Sequence, residues 1–296
     1  MAIFEGAGVA LITPMREDGT INYEKLEEIL EMQIAGGTDA IISCGTTGEA
    51  STLSEEEHMD CVRFTCEKVA GRVPVIAGTG SNSTHTAVQL SKEAAEAGAD
   101  GLLLVTPYYN KATQGGLKAH FCSVADAVDL PIILYNIPGR TGVKIEAETI
   151  VELWKNVPNI VGVKDATGDL AETVKVLSLS DGGVDVYSGN DDIVVPLMSV
   201  GGKGVISVLS NILPKETHDM VKACLDGDYA TGAKAQLSYY GLIKALFCEV
   251  NPIPVKKAMN LMGLDVGPLR LPLTEMEESH AALLRSEMEK VGIKVV

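Results

Sequence analysis

Short apolar segments recur along the first two thirds of the chain, separated by polar loops and longer amphipathic stretches. There are eight of them, at residues 9–12, 40–43, 73–77, 102–105, 132–135, 160–164, 184–187 and 205–208. Their apolar side chains follow one another without alternation, which is typical of parallel strands that are buried on both faces. The pattern therefore predicts eight buried strands.

Amphipathic segments with the period of a helix lie between these strands. The clearest are residues 23–35, 54–70, 84–97, 117–128 and 147–154. Small-residue turns such as Ala97-Gly98-Ala99 join a helix to the next strand, as they do in parallel sheets. Eight strands alternating with helices predict an α/β fold of the closed (β/α)8 TIM-barrel type. An open doubly wound sheet is the alternative.

The strand pattern stops after Asp226. Residues 229–247, 252–262 and 274–291 have the pattern of helices, interrupted at Asn251-Pro252 and at two later glycine-containing turns. We therefore predict two domains. We expect residues 1–226 to form the barrel and residues 227–296 to form a C-terminal helical domain.

The formal charge of −16 limits the range of partners rather than the fold. It argues against a nucleic acid and against an anionic membrane surface. No apolar run approaches the length of a membrane span, and the N-terminal residues lack the basic and apolar regions of a signal peptide. We expect a cytoplasmic protein with no nucleic-acid partner and no membrane partner.

Lys164 ends the sixth apolar segment and is followed at once by Asp165. An ammonium group at the inner end of a buried strand loses hydration, which lowers its pKa and leaves part of it as free amine. A free amine attacks a carbonyl carbon to form a Schiff base. The alternative is a lysine that ends the strand and extends its charge out to water.

Polar side chains also follow other strands, at the rim where barrel enzymes carry their chemistry. They include Thr46, Thr47, Tyr108, Tyr109, Tyr135 and Arg140. Paired hydroxyls suit a carboxylate, an arginine suits a second acidic substrate, and a phenol coupled to hydroxyls suits proton transfer. Simpler explanations stay open: a turn for the threonines, packing for the tyrosines and a solvated side chain for Arg140.

The sequence carries no signature of a metal site or an organic cofactor. Its five histidines lack metal-ligand spacing, and its six cysteines are scattered without close pairs. The glycine-containing segment 78–83 follows a strand but lacks the third glycine of a dinucleotide fingerprint. We expect no metal and no cofactor, which leaves Lys164 to supply the electrophile chemistry.

Four segments together resemble the dihydrodipicolinate synthase family. They are Gly45-Thr46-Thr47-Gly48-Glu49, Tyr135-Asn136-Ile137-Pro138-Gly139-Arg140-Thr141-Gly142, Lys164, and Asn251-Pro252-Ile253-Pro254-Val255-Lys256. The resemblance implies a (β/α)8 barrel with a C-terminal helical domain, assembled as a homotetramer that is a dimer of dimers. It implies condensation of pyruvate with L-aspartate 4-semialdehyde to give 4-hydroxy-tetrahydrodipicolinate, the first committed step towards diaminopimelate and lysine.

The resemblance also implies catalytic roles for four residues. Lys164 forms the Schiff base with C2 of pyruvate, and Tyr135 transfers protons to and from it. Thr46 links Tyr135 to Tyr109, which reaches into the active site of a neighbouring subunit.

Four further residues are implied to bind the substrates. Thr47 holds the pyruvate carboxylate, and backbone groups at Gly189 and Ile206 line the pocket. Arg140 takes the carboxylate of the semialdehyde.

Lysine-sensitive members of this family bind lysine in a cleft between paired subunits. The matching positions are Ala50, Ser51, Glu55, His58, Asn82, Thr86 and Tyr108. Thr86 departs from the pattern, because sensitive members carry there a glutamate that pairs with the amine of lysine. Glu55 stands where a histidine is frequent. We therefore expect weak or absent inhibition by lysine.

Two rival functions stay open at this point. Another pyruvate-dependent aldolase, such as N-acetylneuraminate lyase or a keto-deoxy-sugar-acid aldolase, shares the lysine and the tyrosine but generally lacks an arginine at the position of Arg140. A catalytically silent barrel used as a scaffold would leave Lys164, Tyr135 and Thr46 without a role.

Overall fold

Eight parallel strands close into a barrel in which neighbours in the chain pair with each other and the last strand pairs with the first. The computed structural model describes residues 2–296. The strands are β1 (Gly6–Ala10), β2 (Ala40–Ser43), β3 (Val75–Gly78), β4 (Gly101–Val105), β5 (Ile132–Asn136), β6 (Ile160–Asp165), β7 (Asp185–Ser188) and β8 (Gly204–Ser207). The predicted TIM barrel is confirmed. The alternative of an open sheet is wrong, because pairing of β8 with β1 closes the ring.

Helices follow the strands around the outside of the barrel. They are α1 (Tyr23–Ala35), α2 (Glu55–Val69), α3 (Thr84–Glu96), α4 (Gln114–Ala125), α5 (Pro138–Thr141), α6 (Ala147–Asn156), α7 (Leu170–Leu179), α8 (Val194–Ser199), α9 (Pro214–Leu225), α10 (Tyr229–Leu246), α11 (Ile253–Leu261) and α12 (Glu278–Lys290). Helix α2 begins with a capping box, in which Ser54 and Glu57 each accept the backbone N–H of the other. No helix among residues 2–296 has the length and apolar character needed to cross a membrane.

The strands are buried on both faces, as their composition predicts. One set of side chains fills the barrel interior; it includes Ile42, Ile76, Leu103, Ile133, Tyr135, Tyr187 and Ile206. The other set, such as Ile41 and Leu104, packs beneath the helices. A polar side chain that faces the interior near a strand end is therefore held by packed neighbours on every side.

Strand β1 begins three residues earlier than predicted. Gly6 and Gly8, which lie outside the apolar run at residues 9–12, pair with Gly204 and Ile206 of β8. A Cβ atom at Gly204 would lie 1.9 Å from the carbonyl oxygen of Gly6, so the two backbones approach too closely for any side chain. Gly6 and Gly204 therefore allow β1 and β8 to approach each other closely.

Helix α4 also begins earlier than predicted, at Gln114 rather than at residue 117. Gly115 and Gly116 weaken the helical pattern of the first turn. The Thr113 side chain nevertheless accepts the backbone N–H of Gly116 and caps the helix. The cap outweighs the low helix propensity of the two glycines.

The last three helices form a layer against the barrel. Helix α10 begins after Asp228, whose side chain accepts the backbone N–H of Thr231, and it packs against α8, α9 and α12. We retain as a proposal the division into a barrel at residues 1–226 and a helical domain at residues 227–296. Helix α11 matters most for function, because the residues before and within it contact the loop after β2.

Candidate active site

Lys164 is the penultimate residue of β6. The strand register places it beside Tyr135 of β5 and Tyr187 of β7. The residue is 6% exposed, and its Nζ atom lies 4.3 Å from the centroid of the Tyr135 ring. The strand ends where the Asp165 carboxylate accepts hydrogen bonds from the backbone N–H and the hydroxyl of Thr167. This turn holds the lysine at the end of the barrel interior.

The environment of Lys164 shifts its amine towards the neutral form. Burial lowers the pKa of Lys164 to about 8, because the ammonium group loses hydration that the protein does not replace. The Asp191 carboxylate opposes part of this lowering of the pKa, and the Arg140 charge adds to it. With such a pKa, about a tenth of the side chain is free amine at pH 7. The nucleophilic form is thus present at neutral pH.

Tyr135 provides a phenol beside this amine. Burial raises the pKa of Tyr135 to about 12, while the Arg140 charge and the nearby Thr46 side chain lower it in part. The phenol therefore keeps its proton at neutral pH. Coupled to the Thr46 hydroxyl, it can donate a proton to a neighbouring group and recover one from another.

The loop after β2 carries Thr46 and Thr47. Thr46 is half-buried, whereas Thr47 is 3% exposed and its Oγ1 atom accepts a hydrogen bond from Asn251 Nδ2 at 3.0 Å. Two residues further on, Glu49 Oε1 lies 2.8 Å from Lys256 Nζ, and both side chains are buried. The loop is therefore fixed from the C-terminal side of the chain.

Arg140 lies in α5, the short helix that follows β5. Its guanidinium is exposed at the rim, and Nη2 donates to the backbone carbonyl of Asn251 at 3.0 Å. A guanidinium has five N–H donors in a planar fork, so this contact leaves donors for a carboxylate. The side chain is therefore held in place while other N–H donors stay available.

Gly189 and Ile206 lie at the ends of β7 and β8. The Gly189 N–H donates to the Asp165 carbonyl at 2.7 Å, and Ile206 is buried in the barrel interior. The loops that follow these strands are joined by Asp191, which is 3% exposed and accepts the backbone N–H of Val208 at 2.9 Å. Burial raises the pKa of Asp191, and its hydrogen bonds lower that pKa in part.

A cavity of about 440 Å³ opens at this rim. Its wall includes Thr46, Tyr135 and Arg140, and it also includes Ala50, Ser51, Glu55, His58, Thr86 and Tyr108 of the expected effector cleft. Asn82 does not line this cavity. Its backbone carbonyl accepts a hydrogen bond from Asn110 Nδ2 at 2.9 Å. Lys164 does not line this cavity, but its Nζ atom lies 4.3 Å from the ring centroid of Tyr135, which does. Three of the predicted catalytic and substrate-binding residues thus share one cavity wall with residues of the expected effector cleft.

Tyr109 stands apart from the other predicted catalytic side chains of its own chain. Its side chain is 89% exposed, and its backbone has a φ of 76°, in the left-handed region that non-glycine residues seldom adopt. Its backbone N–H donates to the Thr141 carbonyl at 3.4 Å. The backbone directs this phenol outwards, where a second chain can contact it.

Sequence reasoning missed three residues that hold the site. Asn251 and Lys256 lie in a segment that carries the family resemblance, and that segment was the available signal for them. Asp191 follows β7, but nothing in its local sequence indicates that it joins two loops. Each of the three acts through a contact with a distant part of the chain.

The structure adds one observation on metals. Among residues 2–296, no three or more His, Cys, Asp or Glu side chains are grouped so that they could hold a metal ion. The six cysteines are free thiols; Cys44, Cys61 and Cys224 are buried and the other three are partly buried. The expectation of no metal and no cofactor stays a prediction.

Comparison with known proteins covers the whole chain. A 4-hydroxy-tetrahydrodipicolinate synthase of Lachnoclostridium phytofermentans is 58% identical over 293 residues, which are 99% of this chain and 100% of that protein. A 4-hydroxy-tetrahydrodipicolinate synthase of Thermoanaerobacter sp. is 55% identical over 99% of this chain and 98% of its own.

Solved structures agree with these relatives. A dihydrodipicolinate synthase of Cyanidioschyzon merolae with lysine bound has a TM-score of 0.96 and 41% identity, over 99% of this chain and 100% of that one. A chloride-inhibited dihydrodipicolinate synthase of Acinetobacter baumannii complexed with pyruvate has a TM-score of 0.95 and 45% identity, over 98% and 99%. Residues 3–291 match the sequence profile of the dihydrodipicolinate synthetase family, and the chain belongs to that family.

Proposed function

We propose that the chain condenses pyruvate with L-aspartate 4-semialdehyde to give 4-hydroxy-tetrahydrodipicolinate, through a Schiff base on Lys164. The observation that carries the proposal is the buried Lys164 amine, with a pKa of about 8 and its Nζ atom 4.3 Å from the Tyr135 ring centroid. The name shared by relatives that are 50% to 58% identical supports the reaction. The reaction is the first committed step of diaminopimelate and lysine biosynthesis.

The reaction follows from the chemistry of the amine. The Lys164 amine attacks C2 of pyruvate, and loss of water from the resulting carbinolamine gives a protonated imine. The imine withdraws electrons, so C3 loses a proton and becomes an enamine nucleophile. The enamine attacks the aldehyde carbon of the second substrate. The amine of the condensed product then displaces Lys164, which closes the ring and frees the enzyme.

Each step moves a proton, and Tyr135 would move it. Its pKa of about 12 keeps it protonated, and the Thr46 hydroxyl beside it would provide a route for exchange. Tyr109 of a second chain would complete this route by contacting Thr46. The exposure of Tyr109 supports this arrangement, because its own chain leaves the phenol uncovered.

Two groups of contacts would bind the two carboxylates. The Thr47 hydroxyl and the backbone near Gly189 and Ile206 would hold pyruvate next to Lys164. Arg140 would take the carboxylate of the semialdehyde from the rim. This division explains why the Arg140 side chain is exposed and anchored, whereas the Lys164 side chain is buried and partly neutral.

The roles assigned to Tyr109 require assembly. We propose a homotetramer built as a dimer of dimers, with pyruvate and the semialdehyde as substrates and neither nucleic acid nor membrane as a partner. We place the enzyme in the cytoplasm, where a biosynthetic step from pyruvate fits. Lysine would bind weakly or not at all in the cleft formed by Ser51, Glu55, His58, Asn82, Thr86 and Tyr108.

The rival aldolases are not favoured. Arg140 is present and held at 3.0 Å from the Asn251 carbonyl, in a position suited to an acidic second substrate. The high-identity relatives carry the synthase name and not that of a sugar-acid aldolase.

Borohydride reduction in the presence of pyruvate tests the proposal. One three-carbon adduct per chain is expected, mapped to the peptide that contains Lys164. Lys256 is an internal control, since it is also buried and has a pKa lowered by burial, but Glu49 engages its ammonium. Lys164→Ala should abolish the adduct and lower activity by several orders of magnitude. An adduct on Lys256, or full activity in Lys164→Ala, would refute the mechanism.

A further inference from the structure

Asn251 contacts both of the side chains assigned to the substrate carboxylates. Its Nδ2 donates to Thr47 Oγ1 at 3.0 Å, and its backbone carbonyl accepts from Arg140 Nη2 at 3.0 Å. The residue is 6% exposed, and its Oδ1 atom is buried without a hydrogen-bond partner among residues 2–296. One residue of the C-terminal segment thus touches both substrate subsites, with its side chain on one and its backbone on the other.

We propose that Asn251 is a positioning residue that orients the Thr47 hydroxyl towards the pyruvate carboxylate. The inference rests on the proposed function, in which Thr47 binds pyruvate. A hydroxyl has one donor proton and two acceptor lone pairs. Because the Asn251 amide donates to Thr47, the hydroxyl proton is left for another acceptor, and a carboxylate accepts it strongly. Without the amide, the hydroxyl has to be oriented when the substrate binds.

The position of Asn251 is itself fixed by a second contact between the same two segments. Lys256 lies five residues after Asn251, and Glu49 lies two residues after Thr47. Their side chains form a buried ion pair at 2.8 Å, and Lys256 Nζ also donates to the Thr13 carbonyl at 3.2 Å. The loop after β2 and the start of α11 are therefore joined at two points, which holds the Asn251 amide against Thr47.

Asn251 contacts Thr47 through its side chain and Arg140 through its backbone, so a side-chain substitution should affect only the contact with Thr47. Asn251→Ala removes the donor to Thr47 but keeps the carbonyl that anchors Arg140. We expect the KM for pyruvate to rise about three- to tenfold, as for loss of one neutral hydrogen bond that orients the Thr47 hydroxyl. The KM for the semialdehyde should stay within about twofold and kcat within about threefold, because chemistry at Lys164 is untouched.

Asn251→Asp changes the orientation of the Thr47 hydroxyl while the shape of the side chain at position 251 stays nearly the same. Aspartate has nearly the shape of asparagine, so this variant remains informative if the alanine variant folds poorly. Its carboxylate accepts the Thr47 proton instead of leaving it for pyruvate, and its charge repels the substrate. The pyruvate KM should therefore rise further in Asn251→Asp than in Asn251→Ala. A purely structural role predicts the opposite order.

Two controls complete the experiment. Asn260 of α11 donates to the Gly267 carbonyl and accepts from the Val266 N–H, so Asn260→Ala removes two hydrogen bonds that do not involve Thr47 or Arg140 and should change neither KM. In a Thr47→Val background, Asn251→Ala should have no further effect on the pyruvate KM, because the group it acts through is gone. Half-saturation of borohydride trapping by pyruvate gives the same comparison without turnover.

The outcomes distinguish this inference from the proposed function. If the wild-type chain gives no pyruvate adduct, the proposed function fails. If it gives the adduct and both Asn251 variants keep the wild-type pyruvate KM, the inference fails alone. Three other results would also overturn it. They are a smaller rise of the pyruvate KM in Asn251→Asp than in Asn251→Ala, equal rises of KM for both substrates, and an undiminished effect of Asn251→Ala in the Thr47→Val background.

Discussion

The Nζ atom of Lys256 lies 2.8 Å from Oε1 of Glu49, and both side chains are buried at the junction between the barrel rim and α11. Breaking a buried ion pair leaves one charge without compensation, which typically costs about 3–5 kcal/mol. We expect Lys256→Met to lower the unfolding midpoint by several degrees and Lys256→Met with Glu49→Gln to recover most of that loss. Lys215→Met, which breaks an exposed pair with Asp219, is the control and should change the midpoint little. A double variant as unstable as the single one would contradict this account.

The pH dependence of imine formation should follow Lys164. With a pKa of about 8, the rate of adduct formation with pyruvate should rise with pH and level off above that value. Arg140→Ala should move the midpoint to higher pH, because the Arg140 charge helps to lower this pKa. The rate is measured by trapping with borohydride over a pH series. A flat profile from pH 6 to pH 9 would be inconsistent with a neutral-amine nucleophile.

The same pKa has a consequence for stability. The folded pKa of Lys164 is about 8 and the ordinary value is 10.5, so the unfolded chain holds more protons between these pH values. Burial of Lys164 therefore opposes folding below about pH 8, and its penalty fades as pH rises through this window. Lys164→Met should raise the unfolding midpoint at pH 7 and should raise it much less at pH 10. An equal gain at both pH values would argue against a lowered pKa.

Arg140 should affect the second substrate more than the first. Arg140→Ala removes a charge-assisted contact to the semialdehyde, worth roughly 1.5–3 kcal/mol, but leaves the imine chemistry possible. We expect the pyruvate adduct to form while kcat/KM for the semialdehyde falls at least about tenfold. Arg140→Lys is the matched variant that keeps the charge but loses the fork, and should recover only part of the loss. Equal losses for the two substrates would show that the assignment is wrong.

Tyr109 should act in a neighbouring chain. Tyr109→Phe and Tyr135→Phe chains, each nearly inactive alone, should regain activity when mixed and reassembled, since some sites then contain both phenols. Activity is measured after subunit exchange, with exchange confirmed by mass spectrometry of differently tagged chains. Mixtures of either variant with itself are the controls. Exchange without recovery would indicate that Tyr109 serves its own chain.

Lysine should inhibit the enzyme weakly, because Thr86 offers no charge to the effector's amine. Loss of a charged partner costs roughly 1.5–3 kcal/mol, or about ten- to a hundredfold in affinity. We expect half-inhibition above about a millimolar L-lysine at subsaturating pyruvate. Thr86→Glu should strengthen inhibition at least about tenfold, whereas the neutral Thr86→Gln should not. Strong inhibition of the wild-type chain would mean that Glu55 supplies the missing charge.

The local sequence determined the barrel and its central chemical group. Each strand is a short apolar run and the clearest helices are amphipathic stretches, so eight repeats could be recognised without any long-range information, and Lys164 could be placed at the end of a buried strand. Only the ends of elements were misjudged, as at Gly6 and at Gln114. There a backbone approach or a cap decided the boundary rather than side-chain periodicity.

Only the tertiary structure decided how the site is held. Asn251 meets Thr47 across 204 residues of chain, and Lys256 meets Glu49 across 207. Asp191 joins the loops after β7 and β8, and one cavity brings Thr46, Tyr135 and Arg140 together with residues of the expected effector cleft. The partner of a buried polar group is set by the packing of distant segments, because every such group must be satisfied where the fold places it. No periodic pattern along the chain encodes that placement.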